Sequence, residues 1–419
     1  MNKTIGTVLA HTSTMRQFSI TFTVLILVAS CTNARQADHP RLPDTMYPTA
    51  IEEKISQVES HLCLNPADGI NWTLADRMNY YSVEGLSIAV IHNNQVEWAR
   101  GYGWADVSEQ RPVTTHTLFQ AGSISKSLNA VGVMLLVQQH QLDLNTDINA
   151  YLRSWKFPYD TISKGRKITL GNLLSHSGGL SVHGFPGYER QDSLPTLEQV
   201  LDGKKPANTA AVRSMIEPGK RFIYSGGGTT ITQLIVQDIT GVPYAEYMAL
   251  HILRPLGMDN SSYAQPPPPS KDRATGYLHD ITAVPGKYHI YPEQAAAGLW
   301  TTPTDIGKYI VESQLAYTGK SAKVLDQPTT RIRLAPYIDS IAGNGIREGL
   351  GVFLFESGGR HYFNHNGSDV GFLSSYYGCL DNGDGVVVMI NNDTKGDLLR
   401  EVVNSVAKVY HWEGFRSPF

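Results

Sequence analysis

The stretch "FQAGSISKSLNAVGVMLLVQQ", Phe119 to Gln139, decides how the rest of the chain is read. A strand-like approach ends at Ala121-Gly122, and a run rich in Leu, Val and Ala follows with the length of a helix. Ser123 and Lys126 stand at its mouth. On a helix their side chains fall on one face, about one turn apart. The helix start adds unpaired N–H groups and the positive end of the dipole. A lysine shielded from water loses its proton more readily and can then serve as a base toward a serine. The pattern alone is weak. Ser405-Val406-Ala407-Lys408 repeats it inside an apparent C-terminal helix with no glycine-bearing approach, where a helix serine and a solvated lysine suffice.

Working outward, "LSIAVIHNNQVEWARGYGWAD" reads as a hairpin turning at Asn93-Asn94. The last hundred or so residues return to strands, "GLGVFLFE", "RHYFNHN", "GFLSSYYGCL" and "GDGVVVMINND", and a helix over about Lys395 to Tyr410 closes the chain. Between them, residues 130–290 read as mainly helical. "TTITQLIVQDITG" stops at Gly241, and Pro266 to Pro269 form a rigid loop. "LWTTPTDIGKYI" predicts Thr302 as cap, Pro303 at the first helical position and Asp305 as capping-box partner. The expected fold is α/β in the α+β sense: an antiparallel sheet flanked by helices, formed by both chain ends, with an inserted helical region. A cleft between such layers is a common place for a ligand.

Two further segments carry candidate chemistry. "RFIYSGGGTT" puts Tyr224 ahead of three glycines and a helix, where its hydroxyl could bridge proton transfers. No Gly-Lys-Ser/Thr follows, so a phosphate loop is set aside. "FNHNGSDVGF" places His365 and Gly367 in a strand-like setting. The glycine lets a substrate approach the backbone, and the histidine offers a pH-dependent charge. His176 in "LLSHSGG" shows a similar pattern at a helix end, where a capping or core role is expected.

The 419-residue chain is 41% hydrophobic with a formal net charge of −3, ample for a large core and without the basic excess of a nucleic-acid binder. Met15-Arg16-Gln17 precedes the apolar run "FSITFTVLILVA" and then "VASC", which fits a signal peptide ending in a lipoprotein-type box. Residues 1–31 are therefore expected to be a signal peptide with Cys31 as the lipidated residue, and residues 32–49 a linker. Residues 50–412 form the folded domain and 413–419 a tail. The remaining cysteines, Cys63 and Cys379, leave pairing and separate thiols equally open. The spacings of a metal site are absent, and no cofactor is expected.

With these segments in order, the chain resembles the serine beta-lactamase and DD-peptidase superfamily, and within it the class C beta-lactamase-related group. "LLSHSGGL", "EPGKRFIYSGGG", "ILRPLGMDNSSY", "AAAGLWTTPTDIGKY" and "HNGSDVGF" carry the resemblance over roughly residues 50–412. It implies Ser123 as acylated nucleophile, Lys126 and Tyr224 as joint candidates for the base, and His365 where many members carry a lysine. It implies an oxyanion hole from the backbone N–H groups of Ser123 and Ser368. Two positions depart from the family pattern. Gly226 stands where many members have an asparagine, and Asn366, next to Gly367, replaces a hydroxyl residue. Both departures fit a DD-peptidase-like or esterase-like hydrolase better than an efficient beta-lactamase. The implied partner is a small-molecule or peptide substrate (peptidoglycan-derived, ester or lactam), with no nucleic acid, in a bacterial cell envelope with a lipid anchor. A non-catalytic penicillin-binding receptor that keeps the fold is the competing reading. Substrate choice is expected to lie with loops between 180 and 220 and between 264 and 290.

Overall fold

The computed structural model describes residues 45–63, 71–341, 345–393 and 395–418. The expected signal peptide, Cys31 and most of the expected linker lie outside the described residues. Asn93 and Asn94 both adopt left-handed backbone angles (φ 52° and 59°), the turn that joins right-twisted strands with least distortion. They link β1 (Gly85–His92) to β2 (Gln95–Asp106). Three short strands follow along the chain: β3 (Arg111–Pro112), β4 (Phe119–Gln120) and β5 (Trp300–Thr301). Next come β6 (Ile338–Ile341), β7 (Ile346–Glu348), β8 (Phe353–Ser357), β9 (Arg360–Asp369), β10 (Phe372–Cys379) and β11 (Gly385–Ile390).

Nine of these strands form one antiparallel sheet in the order β3-β2-β1-β11-β10-β9-β8-β7-β6. The seam is β1 against β11, with Ile88 opposite Val388, so the two ends of the chain meet in the middle of the sheet. Side chains along these strands alternate between two cores, as the period of two demands. Leu86, Ile88 and Val90, with Val386, Val388 and Ile390, face the helices Thr49–Ser60, Leu74–Tyr81 and Gly396–Val409. Ala89, Ile91, Val387 and Met389 face the inserted helices, including Ser125–Gln138 and Pro303–Tyr317. Each buried Val, Leu or Ile contributes about 1.5–3 kcal/mol relative to exposure, which favours this double-sided burial. The antiparallel sheet with helices on both faces is thus the fold expected from the sequence.

Several local readings are sharpened. Gly241 ends the helix Gly226–Thr240 in a left-handed cap, φ 70°. Thr302 caps Pro303–Tyr317 by accepting from Asp305 N–H (3.2 Å). Asp305 does not return the bond as a capping box would. Its carboxylate accepts instead from Asn260 N–H (2.9 Å), Ser261 Oγ (2.9 Å) and Lys308 Nζ (2.9 Å), tying a preceding loop to the helix. Ser405 donates to the Val58 carbonyl (2.7 Å) and Lys408 is exposed, so the second Ser-x-x-Lys pattern only packs one helix on another. No disulfide joins Cys63 and Cys379, both of which are buried. Beyond residue 412, Phe415 packs its ring 5.1 Å from Tyr362 and 5.2 Å from Trp412.

The outer helices are locked by a buried ionic cluster. Arg77 Nε donates to Glu401 Oε2 (2.6 Å) and Tyr81 Oη to Glu401 Oε1 (2.7 Å), with Glu401 wholly buried. Removing one partner leaves the other charge uncompensated. Glu401→Ala is expected to lower stability by about 3–5 kcal/mol in urea unfolding, and Arg77→Met with Glu401→Leu to recover most of that loss.

Candidate active site

The segment before Ser123 is pinned from both sides. β4 pairs with β5, Phe119 opposite Thr301, and Ala121 N–H donates to the Leu299 carbonyl (2.9 Å). Gly122 then turns with φ 51°, and a single 3₁₀ turn, Gly122–Ile124, leads into the helix Ser125–Gln138. Ser123 therefore sits on the turn that opens the helix, half-buried at the cleft. Its neighbours are committed elsewhere. Ser125 Oγ accepts from Leu299 N–H (3.1 Å), and Ser127 Oγ donates to the Gly351 carbonyl (2.9 Å).

Lys126 lies one turn on, 4% exposed, with Nζ 2.9 Å from Ser123 Oγ and 2.7 Å from the Ala296 carbonyl. Burial pulls its pKa down to about 7, against the opposing pull of Asp369. Tyr224 lines the cleft together with Ser123, and Lys126 Nζ stands 5.1 Å from its ring centroid. Burial pushes the phenol well above its ordinary range.

His176 proves to be part of this cluster. Its ring lies 4.3 Å from the Tyr224 ring, its Nδ1 accepts from Ser225 N–H (3.2 Å), and its carbonyl accepts from Ile223 N–H (2.7 Å). It thus grips the backbone on both sides of Tyr224. Burial, and then the charge of Lys126, holds it neutral. The core role expected for it is observed. Its contact with Tyr224 depends on a tertiary approach that no local spacing displays.

β9 forms the facing wall. Phe353, at the start of β8, pairs with Asn364, whereas β10 runs beside β9 as far as Asp369. A methyl group built on Gly122 would lie 2.4 Å from Ser368 N, so the Ser368 amide is drawn up beside the turn that carries Ser123. Gly367 was expected to make room for a substrate. It makes room for the protein itself, because a methyl group there would fall 1.9 Å from the Ala121 carbonyl and 2.3 Å from Ser374 Oγ. Ser374 Oγ donates to that same carbonyl (2.8 Å).

The remaining predicted residues divide. His365 lies in the wall but is 1% exposed, with Nδ1–H on the Asn366 carbonyl (2.6 Å) and Nε2 buried without a partner. Burial, and then Lys126, pushes its pKa down to about 3. The expectation of a charge titrating near neutrality is corrected accordingly. Asn366 accepts from Ser375 Oγ (2.7 Å) through its side-chain oxygen. Gly226 is not among the residues lining the cleft. A methyl group on it would meet Phe185 at 2.9 Å and the His183 carbonyl at 3.1 Å, so a side chain there would require the Phe185 ring to shift. The cleft, about 650 Å³, brings together Ser123, Tyr224, His365, Asn366, Gly367 and Ser368. Among the described residues no group of three or more His, Cys, Asp or Glu side chains is placed to hold a metal ion.

Comparison with known proteins bears on the family and the fold. The chain is 28% identical over 229 residues to Protein flp of Staphylococcus aureus (strain N315), covering 53% of this chain and 42% of that protein. It is 27% identical over 232 residues to the teichoic acid D-alanine hydrolase of Staphylococcus aureus, 54% of each. The match thus spans about half the length of these curated relatives. Among solved structures, the octameric penicillin-binding protein homologue from Pyrococcus abyssi superposes with a TM-score of 0.69 at 24% identity, covering 81% of this chain and 76% of that one. The D-amino acid amidase from Ochrobactrum anthropi SV3 superposes with a TM-score of 0.68 at 22% identity, covering 86% and 99%. At these identities the two structures speak for the fold. The family model described as Beta-lactamase matches residues 70–407, and the chain belongs to that family of serine hydrolases.

Proposed function

We propose that the protein is a hydrolase that forms an acyl-enzyme at Ser123 and cleaves a small amide or ester. The observation that carries this reading is the 2.9 Å contact between Ser123 Oγ and a Lys126 amine buried enough to be uncharged near neutrality. An uncharged amine can donate to the Ala296 carbonyl while its lone pair accepts the Ser123 proton. Lys126 is therefore the base. Tyr224, whose phenol is held in the protonated form, passes a proton to the leaving group and recovers one from Lys126. The Ser123 and Ser368 amides serve the developing oxyanion, a contribution that is typically about 3–4 kcal/mol per donor.

The substrate reading rests on charge. With His365 neutral, the wall beside Gly367 has no fixed cation at that position, which disfavours recognition of a lactam carboxylate there. Esters and amides without that carboxylate fit better. A D-alanyl ester or a D-amino acid amide, as in the names of the two hydrolases it is similar to, is the favoured class. Such substrates support a place in the bacterial cell envelope, with Cys31 as the lipid anchor.

A fluorophosphonate probe is expected to label the parent and not Ser123→Ala. Equal labelling of both would remove Ser123 from its role, and ligand binding without turnover across esters, amides and lactams would favour the non-catalytic receptor. Ester hydrolysis is expected to rise with pH through a midpoint near 7, because only the deprotonated form of Lys126 accepts a proton. Lys126→Met should lower kcat/KM by about 10²–10⁴-fold, and His365→Asn should leave the midpoint in place. For His176, Asn can keep the acceptor for Ser225 N–H, whereas Phe keeps the ring and orphans that donor, at a cost of about 1–3 kcal/mol. Both variants are expected to lower kcat with little change in KM, with His176→Asn the milder. Unchanged kcat in the folded fraction would reduce His176 to a packing role.

A further inference from the structure

The cleft does not end at the reacting atoms. From Ser123 it continues past Asn366 to a second wall made by Leu373 and Tyr377 of β10 and by Leu399 and Val403 of the C-terminal helix Gly396–Val409. Access exists because β8 ends opposite Asn364, so the rest of β9 is uncovered on that edge. Leu373 is half-buried and a methyl group built on Gly396 would meet nothing within 4 Å, so the arm is open at these two residues, whereas Tyr377, Leu399 and Val403 form its buried base. The two charged side chains on its rim, Arg400 and Asp397, are paired with each other (2.6 Å). The arm therefore presents Leu373 over an apolar base and has a balanced rim.

Resting on the proposed hydrolase reading, we infer that this arm binds an extended, uncharged apolar group on one side of the scissile bond. The substrate class is thereby an ester or amide carrying an alkyl chain or aryl group, larger than a bare acetyl or methyl derivative. The occupant is argued from continuity. The same cleft holds Ser123 and Tyr224, so a molecule attacked at Ser123 has the arm within its own binding site. Burying a methylene is worth about 0.8 kcal/mol, so a fitting chain gains about fourfold in affinity or kcat/KM per methylene.

The test uses the full chain and two homologous series. One consists of p-nitrophenyl esters from acetate to octanoate, and the other of acetates of linear alcohols from methyl to octyl. One series is expected to show kcat/KM rising about fourfold per methylene over several members. Gly396→Trp, which fills the arm, and Leu373→Asp, which makes its floor polar, should each collapse the long-to-short ratio toward one. Calorimetric binding of octanamide and butanamide to Ser123→Ala provides a readout that does not require turnover. Octanamide is expected to bind at least tenfold more tightly, with the difference lost on adding Gly396→Trp. If the amides discriminate but no series is hydrolysed, the serine chemistry fails and the arm stands. Flat profiles in both series and in the amide pair would overturn the arm. So would a long-chain preference that survives both arm variants, or a stronger preference for chains ending in a carboxylate.

Discussion

The arrangement depends on one unfavourable act, the burial of the Lys126 amine. An ammonium taken from water into the protein interior loses several kcal/mol of hydration unless it is paired or gives up its proton. Here it is almost fully buried, its close contacts are a serine hydroxyl and a carbonyl, and the acid that acts on it, Asp369, is itself pushed toward its neutral form by burial. The free amine is therefore about half populated already at a pH of about 7. The same burial holds the Tyr224 phenol protonated and His176 and His365 uncharged. The cluster around Ser123 is thus a set of largely neutral, buried groups at the edge of the cleft, where a proton moves between neighbours without a large change in solvation.

That pocket exists because β9 and the turn before Ser123 touch. Gly122 and Gly367 are the two points of closest approach, and any side chain at Gly367 would collide with the Ala121 carbonyl. Ser374 then fastens that carbonyl. The sheet seam between the two ends of the chain places β9 beside a turn more than two hundred residues earlier. Catalytic geometry here is a consequence of tertiary closure, and the helix that follows Ser123 supplies only the spacing of Ser123 and Lys126.

This division explains how much could be read from the sequence. Local signals were reliable where physics is local: the Asn93-Asn94 turn, the Gly241 cap, the Thr302 cap and the helix after Ser123. The short strands Ile338–Ile341 and Ile346–Glu348 lacked an alternating apolar run long enough to stand out. Ser123, Lys126 and Tyr224 were found by motif and order, and the structure brings them into contact. What failed depended on neighbours distant in sequence. Asp305 turned to another loop, Gly367 to the Ala121 carbonyl, and the charge of His365 was removed by burial. His176 looked like its twin at His365 and gave no local sign of gripping Tyr224. Gly226, which stands where many members of the family have an asparagine, lies outside the cleft lining and against Phe185, a neighbour that no local pattern displays.

The central claim is that the Lys126 amine loses its proton near neutrality. An NMR titration of the folded chain, with lysine labelled at the ε-carbon and Lys126→Arg used to assign its signal, measures this directly. The account predicts a midpoint near 7 for Lys126. A midpoint near the ordinary lysine value of about 10.4 would contradict it.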